Sequence, residues 1–302
     1  MAYAPAQNLI WFRRKRHSAI PENPTREVQN VSDIRLLVLD VDGTLIGSSG
    51  EPSPRVRAAL SAAQRSGLQV ALCSGRPLAS CRPIAQSLGL GGPHVVFNGA
   101  LVKDPAAATA IRRTPLPVHA LDYLIKRGRE TGLCLELYTE ETHFVERDWR
   151  ESRLHAISIH VDYEFDDFDR FIGRSDIIKA QIITADDPAR TATRTLADEL
   201  VDRLAFSVAI PMAPCENMEC VNVVDRSVSK GAAVQALIAH FGLSREQVAG
   251  AGDAMNDLPM FEEVGFRIAM GNADDRLKAI ADRVCPDVDH DGLAIAVEEL
   301  LG

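Results

Sequence analysis

The sequence has no long apolar run, few cysteines and no excess of positive charge. No apolar run approaches the roughly 18–20 residues that a membrane-spanning helix needs, which argues against an ion pump or any other membrane protein. The formal net charge is -9, with 33 Lys and Arg against 42 Asp and Glu, so nucleic acid is not the expected partner. The six cysteines lack metal-site spacing, which predicts reduced thiols in a cytoplasmic protein.

Two carboxylates two residues apart follow a short apolar run. Residues 36–39 are typical of a buried strand in a parallel sheet, and Asp40 and Asp42 come next, before a turn at Gly43. Ligands of such sheets bind beyond the carboxyl ends of the strands, and alternation along extended chain puts the two carboxylates on one side. One can attack a substrate while the other moves a proton. The alternative is an ordinary Asp-Gly turn.

Three further polar segments follow along the chain. An apolar run ends in Ser74 and Gly75, where backbone N–H groups are free to meet an anion. Lys230 opens an apparent helix, and a strand of small residues ends in Asp253 and Asp257. Phosphate esters are anionic, so a carboxylate nucleophile needs a lysine and a divalent cation beside it. The four segments together favour a phosphoryl-transfer site.

These segments resemble the motifs of the haloacid dehalogenase (HAD) superfamily and, within it, the Cof-like phosphatases of subfamily IIB. The matching residues are Asp40-x-Asp42-Gly43-Thr44, Ser74-Gly75-Arg76, Lys230 within Ser-Lys-Gly, and Gly252-Asp253-x-x-Asn256-Asp257. The resemblance covers roughly residues 34 to 302. Four motifs in the right order are far more specific than one.

The resemblance implies a role for each matching residue. Asp40 is the implied nucleophile that forms an aspartyl-phosphate, and Asp42 is the implied acid and base. The implied cofactor is Mg²⁺, held by Asp40, Asp253 and the backbone carbonyl of Asp42. The other implied roles are Lys230 between the phosphate and Asp40, Asp257 behind Lys230, and phosphate binding by Thr44, Ser74, Gly75 and Asn256.

Two of the polar residues keep an alternative interpretation. Asp257 also suits the first turn of a helix, where the dipole favours an acidic residue. Asn272 either contacts the substrate or belongs to an ordinary turn. These positions are therefore weaker predictions than the carboxylates of the first motif.

The order of predicted strands and helices favours an α/β fold with a doubly wound, Rossmann-like, mostly parallel sheet. Residues 34–114 and 215–302 are predicted to form this core. Mixed α and β segments between residues 115 and 214 predict an inserted α+β cap domain of the C2 type. Residues 1–33 lie outside the resemblance and are expected to be a disordered extension. The predicted core strands lie near residues 36–39, 68–73, 94–97, 247–250 and 266–269.

In the resembling family the cap closes over the site, which excludes water and supplies the contacts that select the substrate. Glu136, Tyr138, His143 and Lys179 are the candidate specificity residues in this segment. The alternative for each is a polar side chain on the solvent face of a strand.

The expected function is a Mg²⁺-dependent phosphatase of a small phosphorylated metabolite, with sugar phosphates as the leading class. Dehalogenases of the superfamily have no alcohol leaving group to protonate and typically lack an acidic residue at this position. Asp42 therefore favours phosphate-ester chemistry over dehalogenation. Two alternatives stay open: a phosphotransferase or phosphomutase of the same fold, and a non-catalytic protein that senses a metabolite. The expected partner is a small phosphate ester, with no nucleic acid and no membrane, and the expected state is a monomer or a homodimer.

Overall fold

The computed structural model describes residues 33–209, 215 and 217–302. Of the predicted N-terminal extension only Asp33 is among the described residues. The described chain contains a five-stranded, a six-stranded and a three-stranded sheet. None of its helices is both long and apolar enough to cross a membrane.

The five-stranded sheet, called the first sheet below, is parallel and has the strand order β14-β13-β12-β1-β2. Its strands are β1 (Leu36–Leu39), β2 (Gln69–Leu72), β12 (Val248–Gly252), β13 (Phe266–Ala269) and β14 (Arg283–Val284). Non-consecutive neighbours show that the chain crosses over between strands, as in doubly wound folds. The predicted fold class is confirmed.

Both faces of the first sheet are covered, because side chains of β1 alternate between two apolar clusters. Leu37 and Leu39 belong to a cluster with helix α1 (Pro54–Arg65) and helix α9 (Gly292–Leu301). Leu36 and Val38 belong to a cluster on the other face. That second cluster includes residues of α6 (Lys230–Phe241), α7 (Leu258–Glu263) and α8 (Asp275–Lys278). A strand buried on both faces explains the continuous apolar run in the sequence.

Two serines fix the beginnings of the helices that matter for the site. Ser53 accepts the backbone N–H of Val56 at 3.2 Å and caps α1, which begins at Pro54. Ser229 accepts the backbone N–H of Ala232 at 3.1 Å and caps α6. This cap fixes Lys230 as the first residue of its helix.

A small antiparallel sheet continues from the first sheet. It contains β3 (His94–Val96), β4 (Leu101–Lys103) and β5 (Arg112–Arg113). The predicted strand at residues 94–97 is one residue shorter in the structure, because Phe97 and Asn98 have φ values of +53° and +57° and turn the chain. Helix α2 (Leu78–Ser87) lies between β2 and β3 in the chain.

The six-stranded sheet, called the second sheet below, has the order β10-β11-β9-β6-β7-β8. Its strands are β6 (Cys134–Tyr138), β7 (His143–Val145), β8 (Glu164–Phe165), β9 (Lys179–Thr184), β10 (Leu204–Ala209) and β11 (Glu219–Asp225). Helices α3 (Val118–Thr131) and α5 (Asp187–Leu200) share an apolar cluster with one face of this sheet. Helix α4 (Arg150–Ile159) contacts β6 and β9.

Strand β11 corrects the expected end of the inserted segment. The prediction placed residues 215–302 in the core, but β11 pairs with β9 and β10, with Val221 opposite Ile182 and Val208. The expected boundary at residue 214 therefore falls in the connection between two strands of the second sheet. The reason is that β11 alternates Val221 and Val223, which join the apolar cluster, with residues of the opposite face.

Candidate active site

The carboxyl ends of three neighbouring strands bring the predicted motifs together. Asp40 follows β1, Ser74 follows β2 and Asp253 follows β12, and β1 lies between the other two strands. Lys230 begins α6, which packs against one face of the same sheet. Segments far apart in sequence thus meet at one edge, where open α/β sheets bind their ligands.

A buried lysine joins two carboxylates at this edge. The Lys230 ammonium donates to Asp40 Oδ1 at 2.6 Å and to Asp257 Oδ1 at 2.5 Å. Asp257 Oδ2 accepts from the backbone N–H groups of Asp253 and Ala254, at 3.1 and 3.0 Å. Lys230 is 1% exposed and Asp257 is 0% exposed, so water does not compete for these bonds. Both oxygens of Asp257 are therefore already engaged.

Asp253 lies against a glycine and a threonine of the first motif. Its Oδ1 accepts from the Thr44 hydroxyl at 3.2 Å, and Asn272 donates to the Gly43 carbonyl at 2.8 Å. A Cβ at Gly43 would lie 2.3 Å from Asp253 Oδ2, and Gly43 has a φ of +87°. Only glycine permits both this backbone conformation and this approach. The Asp-Gly turn thus places the carboxylate of the last motif beside the first.

The carboxyl groups at this edge repel one another. Burial raises the pKa of Asp40 well above its usual value, and the charges of Asp257, Asp253 and Asp42 add to this effect, while Lys230 opposes it. Burial and the charge of Asp257 also raise the pKa of Asp253 to about 7. Carboxylate oxygens of Asp40, Asp253 and Asp257 lie within 4.8 Å of one another. This acidic cluster suits a divalent cation, which would remove the repulsion.

Asp42 lies at the open side of the edge and forms an ion pair with Arg76. The guanidinium donates to both carboxylate oxygens, with Arg76 Nη2 at 2.6 Å from Asp42 Oδ1 and Nε at 2.9 Å from Oδ2. The Asp42 side chain is 47% exposed, whereas Asp40 is 6% exposed. The two carboxylates of one motif thus have different environments, one enclosed and one accessible.

The second motif forms a tight turn around Ser74. The Ser74 N–H donates to the Val95 carbonyl at 2.9 Å, and the Ser74 carbonyl accepts from the Asn98 N–H at 3.0 Å. The Ser74 hydroxyl oxygen accepts from the Arg76 N–H at 3.1 Å. Asn98 Oδ1 is buried and has no hydrogen-bond partner among the described residues. Such an acceptor beside a cavity is available to a ligand that donates a hydrogen bond.

A cavity of about 320 Å³ lies between this edge and the second sheet. One wall carries residues of the predicted motifs, and the facing wall carries Lys179, Gln181 and Asn222 from strands β9 and β11. Helix α4 contributes His155. A volume of this size suits a small metabolite.

Sequence reasoning placed some residues better than others. Of the predicted site residues, Asp40, Asp42, Ser74, Gly75 and Asn256 line the cavity. Lys230, Asp253 and Asp257 form the buried network beside Asp40. Thr44 is 0% exposed and its hydroxyl faces Asp253, so its side chain is not at the cavity wall.

Among the four candidate specificity residues, only Lys179 lines the cavity. Glu136, Tyr138 and His143 lie in a buried cluster, in which Glu136 Oε2 accepts from the Tyr138 hydroxyl at 2.7 Å and contacts His155 Nδ1 at 2.8 Å. These three positions are therefore behind the cavity wall. The correction has a simple cause, because strand alternation specifies a face but not the depth of a side chain.

Several cavity residues were not predicted, among them the amides Asn98, Gln181 and Asn222. Gln181 could have been found from the sequence, because it is two residues from Lys179 and residues two apart on a strand share a face. Asn222 carried no such signal, because residues 215–302 were assigned to the core as a whole and no strand was predicted around Asn222. Asn98 directly follows the predicted strand at residues 94–97.

Comparisons with known proteins agree with this geometry. The family model described as haloacid dehalogenase-like hydrolase matches residues 37–297. Phosphatase YwpJ of Bacillus subtilis (strain 168) is 27% identical over 294 residues, covering 89% of this chain and 100% of that protein. From the same organism, the 5-amino-6-(5-phospho-D-ribitylamino)uracil phosphatase YcsE is 27% identical over 267 residues, covering 88% and 95%. A solved haloacid dehalogenase-like hydrolase from Bacteroides thetaiotaomicron gives a TM-score of 0.78 at 27% identity, covering 88% of this chain and 99% of that chain.

Proposed function

This chain belongs to the haloacid dehalogenase-like hydrolase family and is a phosphoric monoester hydrolase, and from that premise we propose that it is a Mg²⁺-dependent phosphatase of small sugar or polyol phosphates. The family predicted from four motifs is thereby confirmed. The observation that carries the proposal is Asp40, a buried carboxylate in the cavity wall that is hydrogen-bonded to a buried lysine. We infer that Asp40 is the nucleophile.

The donor set fits a magnesium ion. Asp257 is engaged by Lys230 and by two backbone N–H groups, which leaves Asp40 and Asp253 as the side chains that would hold the metal. Both offer only oxygen, which Mg²⁺ prefers. The backbone carbonyl of Asp42 would be a third protein ligand. When bound, the ion would neutralise charge on the phosphoryl oxygens and on the acidic cluster.

In the first proposed step a carboxylate oxygen of Asp40 attacks phosphorus. The bond from phosphorus to the ester oxygen breaks, and that oxygen takes a proton from Asp42 as it leaves as an alcohol. Lys230 holds the nucleophile in position and offsets its charge. In this structure the Asp42 carboxylate is ion-paired with Arg76, so in the proposed step it gives up this pair and takes up a proton before it acts as the acid.

In the second proposed step Asp42 removes a proton from a water molecule, which attacks the phosphorus of the aspartyl-phosphate. Inorganic phosphate leaves and the carboxylate of Asp40 is restored. Ser74, Gly75 and Asn256 are the proposed contacts of the phosphoryl group, since they line the cavity beside Asp40. The exposed position of Asp42 suits a residue that serves both an alcohol and water.

The substrate class rests on the cavity and on one relative. The cavity of about 320 Å³ is lined by amide, hydroxyl and ammonium groups together with apolar side chains such as Ile159 and Val208. Such a wall suits a hydroxylated molecule better than a large apolar one. YcsE is named for a substrate with a phosphorylated ribityl chain, which is a polyol phosphate. We propose a phosphorylated sugar or polyol as the substrate of this chain.

The test is the release of inorganic phosphate from sugar phosphates, polyol phosphates and an aryl phosphate, with Mg²⁺ or with EDTA. The variants are Asp40→Asn and, as a matched control, Asp198→Asn on the exposed side of α5. We expect metal-dependent release that Asp40→Asn abolishes and Asp198→Asn retains. An acid quench followed by peptide mass spectrometry should locate the phosphoryl group on Asp40.

Two results would contradict the proposal. Turnover retained in Asp40→Asn would remove the proposed nucleophile, and no release from any compound by folded wild-type protein would remove the phosphatase. Transfer of the phosphoryl group to an added sugar in preference to water would indicate a phosphotransferase of the same fold.

A further inference from the structure

The second sheet presents a polar face to the cavity, although the face is buried. In register across three strand pairs, Glu136 lies opposite Gln181, Gln181 opposite Asn222, and Asn222 opposite Ser207. Glu136, Gln181 and Asn222 are 0%, 1% and 8% exposed. Buried polar groups are costly unless they have partners, so a polar row of this kind requires an explanation.

Lys179 lies on the same face and is the least compensated charge of the cavity. Its side chain is 3% exposed, and its ammonium lies 5.3 Å from the centroid of the Tyr138 ring. No carboxylate of the described residues lies within ion-pair distance of it. Burial lowers the pKa of Lys179 to about 8, although Cys220 and Glu136 act in the other direction. By contrast, Arg76, another cation of the cavity wall, is paired with Asp42.

Gln181 provides a second, independent sign of a missing ligand. Its Nε2 is buried and has no hydrogen-bond partner within the part of the chain that the structure describes. Gln181 is two residues from Lys179 on β9, and both side chains line the cavity. An unpartnered N–H donor beside an unpaired ammonium points to a ligand that accepts hydrogen bonds and carries negative charge.

We propose, building on the phosphatase function above, that Lys179, Gln181 and Asn222 bind a second anionic group of the substrate. This group is a carboxylate or a second phosphoryl group, and it lies at the end of the molecule away from the ester that Asp40 attacks. No acidic side chain of the described residues lines this side of the cavity. A neutral polyol would satisfy the two amides but would leave the ammonium without a counter-charge.

The test compares substrates that differ in one group. Glucitol phosphate and phosphogluconate, each esterified at a terminal carbon, are open chains of equal length that end in a neutral alcohol or in a carboxylate. Fructose monophosphate and fructose bisphosphate make the same comparison for a second phosphoryl group. We expect wild-type kcat/KM to be at least about tenfold higher for the anionic member of one pair, and the pair that responds identifies the group.

Substitutions then assign the preference to Lys179. Lys179→Met should lower the ratio of kcat/KM between anionic and neutral members by about 10- to 100-fold, and Lys179→Arg should restore part of it. The matched control is Lys126→Met, because the Lys126 side chain is 72% exposed on α3, away from the cavity. Equal ratios in wild type and Lys179→Met would overturn the proposal.

Inhibition of the wild type gives a readout that does not depend on a folded variant. Gluconate should inhibit aryl phosphate hydrolysis at a concentration at least about tenfold below that of glucitol, and equal inhibition would overturn the anion site. Equal kcat/KM for neutral and anionic substrates would overturn the anion site and leave the phosphatase proposal standing. A wild type that releases no phosphate from any ester overturns both proposals.

Discussion

The two walls of the cavity treat buried charge in opposite ways. The edge of the first sheet forms the first wall, where Lys230 contacts two carboxylates and Asp257 accepts from three donors. On the face of the second sheet, which forms the second wall, Lys179 contacts the Tyr138 ring but no carboxylate, and Gln181 Nε2 lacks an acceptor, among the described residues. The buried lysine of the first wall is therefore neutralised within the protein before a substrate binds. The buried lysine of the second wall is left to be neutralised by what binds in the cavity.

The largest expected effect comes from applying one substitution to both buried lysines. Lys230→Met leaves Asp40 and Asp257 without their cation, so without metal we expect a loss of about 3–5 kcal/mol in the free energy of unfolding. Lys179→Met replaces an unpaired buried charge by an apolar chain, so we expect no loss or a small gain. Urea denaturation in EDTA measures both.

The same pair of variants separates catalysis from selection. Turnover of an aryl phosphate should fall at least about a hundredfold in Lys230→Met, because this lysine contacts the proposed nucleophile. Equal destabilisation by the two substitutions would show that Lys179 has a partner that compensates its charge, and the contrast between the walls would fail.

This contrast also explains how much the sequence could predict. The first wall follows from local rules: apolar strands end in Asp40 and Ser74, and the backbone of a parallel sheet brings those ends together. The second wall depends on which antiparallel strands pair and in what register. Asn222 joins it only because β11 pairs with β9, a contact between segments with no motif to mark it.

The depth of a side chain was equally hard to predict. Glu136 and Lys179 both lie on strands of the second sheet, yet only Lys179 reaches the cavity. Strand alternation predicts the face on which each side chain lies. It does not predict that His155 and Tyr138 pack around Glu136 and enclose its carboxylate. Such packing is a property of the folded chain and not of a strand pattern.

A second prediction tests how tightly the backbone is packed near the first wall. Gly99 has a φ of +103°, and an added Cβ would lie 2.3 Å from the backbone carbonyl oxygen of Ser229, the cap of α6. Gly132, which ends α3, has a φ of +66° and open space around it. We expect Gly99→Ala to cost about 3 kcal/mol, from conformational strain and overpacking, and Gly132→Ala about 1 kcal/mol.

Urea unfolding of the two alanine variants measures this difference. Because Ser229 fixes the beginning of α6, Gly99→Ala should also displace Lys230 and reduce turnover, whereas Gly132→Ala should not. Equal costs in the two variants would mean that the loop after β3 can move away from α6 without resistance.

A third prediction concerns the metal, which the proposal assigns to the first wall alone. Mg²⁺ at about 100 times its dissociation constant should stabilise the wild type by about 2.7 kcal/mol, and EDTA should reverse the effect. Asp253→Asn should remove this stabilisation. Without metal the same variant should not be destabilised, because burial and Asp257 raise the pKa of Asp253 and so disfavour its charge.

Thermal unfolding with and without Mg²⁺ tests both parts of that prediction. Asp198→Asn is again the matched control, and Lys179→Met should retain the full metal response. If Asp253→Asn kept the Mg²⁺ shift, the cation would bind elsewhere, and the assignment of Asp40 and Asp253 as its ligands would be wrong.

The smallest expected effect lies behind the second wall, at Glu136. Burial raises the pKa of this carboxyl group, but the attraction of His155 and His143 and the hydrogen bond with His155 prevail, so its pKa lies well below the usual 4.5. A depressed folded-state pKa contributes stability above the unfolded-state value, and the contribution is lost as the pH falls below it. Glu136→Gln should therefore cost about 1–3 kcal/mol at neutral pH.

The difference between wild type and Glu136→Gln should shrink as the pH falls below 4.5, where the unfolded chain takes up a proton at this position. Glu130→Gln, at an exposed position of α3, is the control. Urea midpoints across this pH range measure the effect. A difference that does not change with pH would mean that Glu136 contributes to stability through packing and hydrogen bonds and not through its charge.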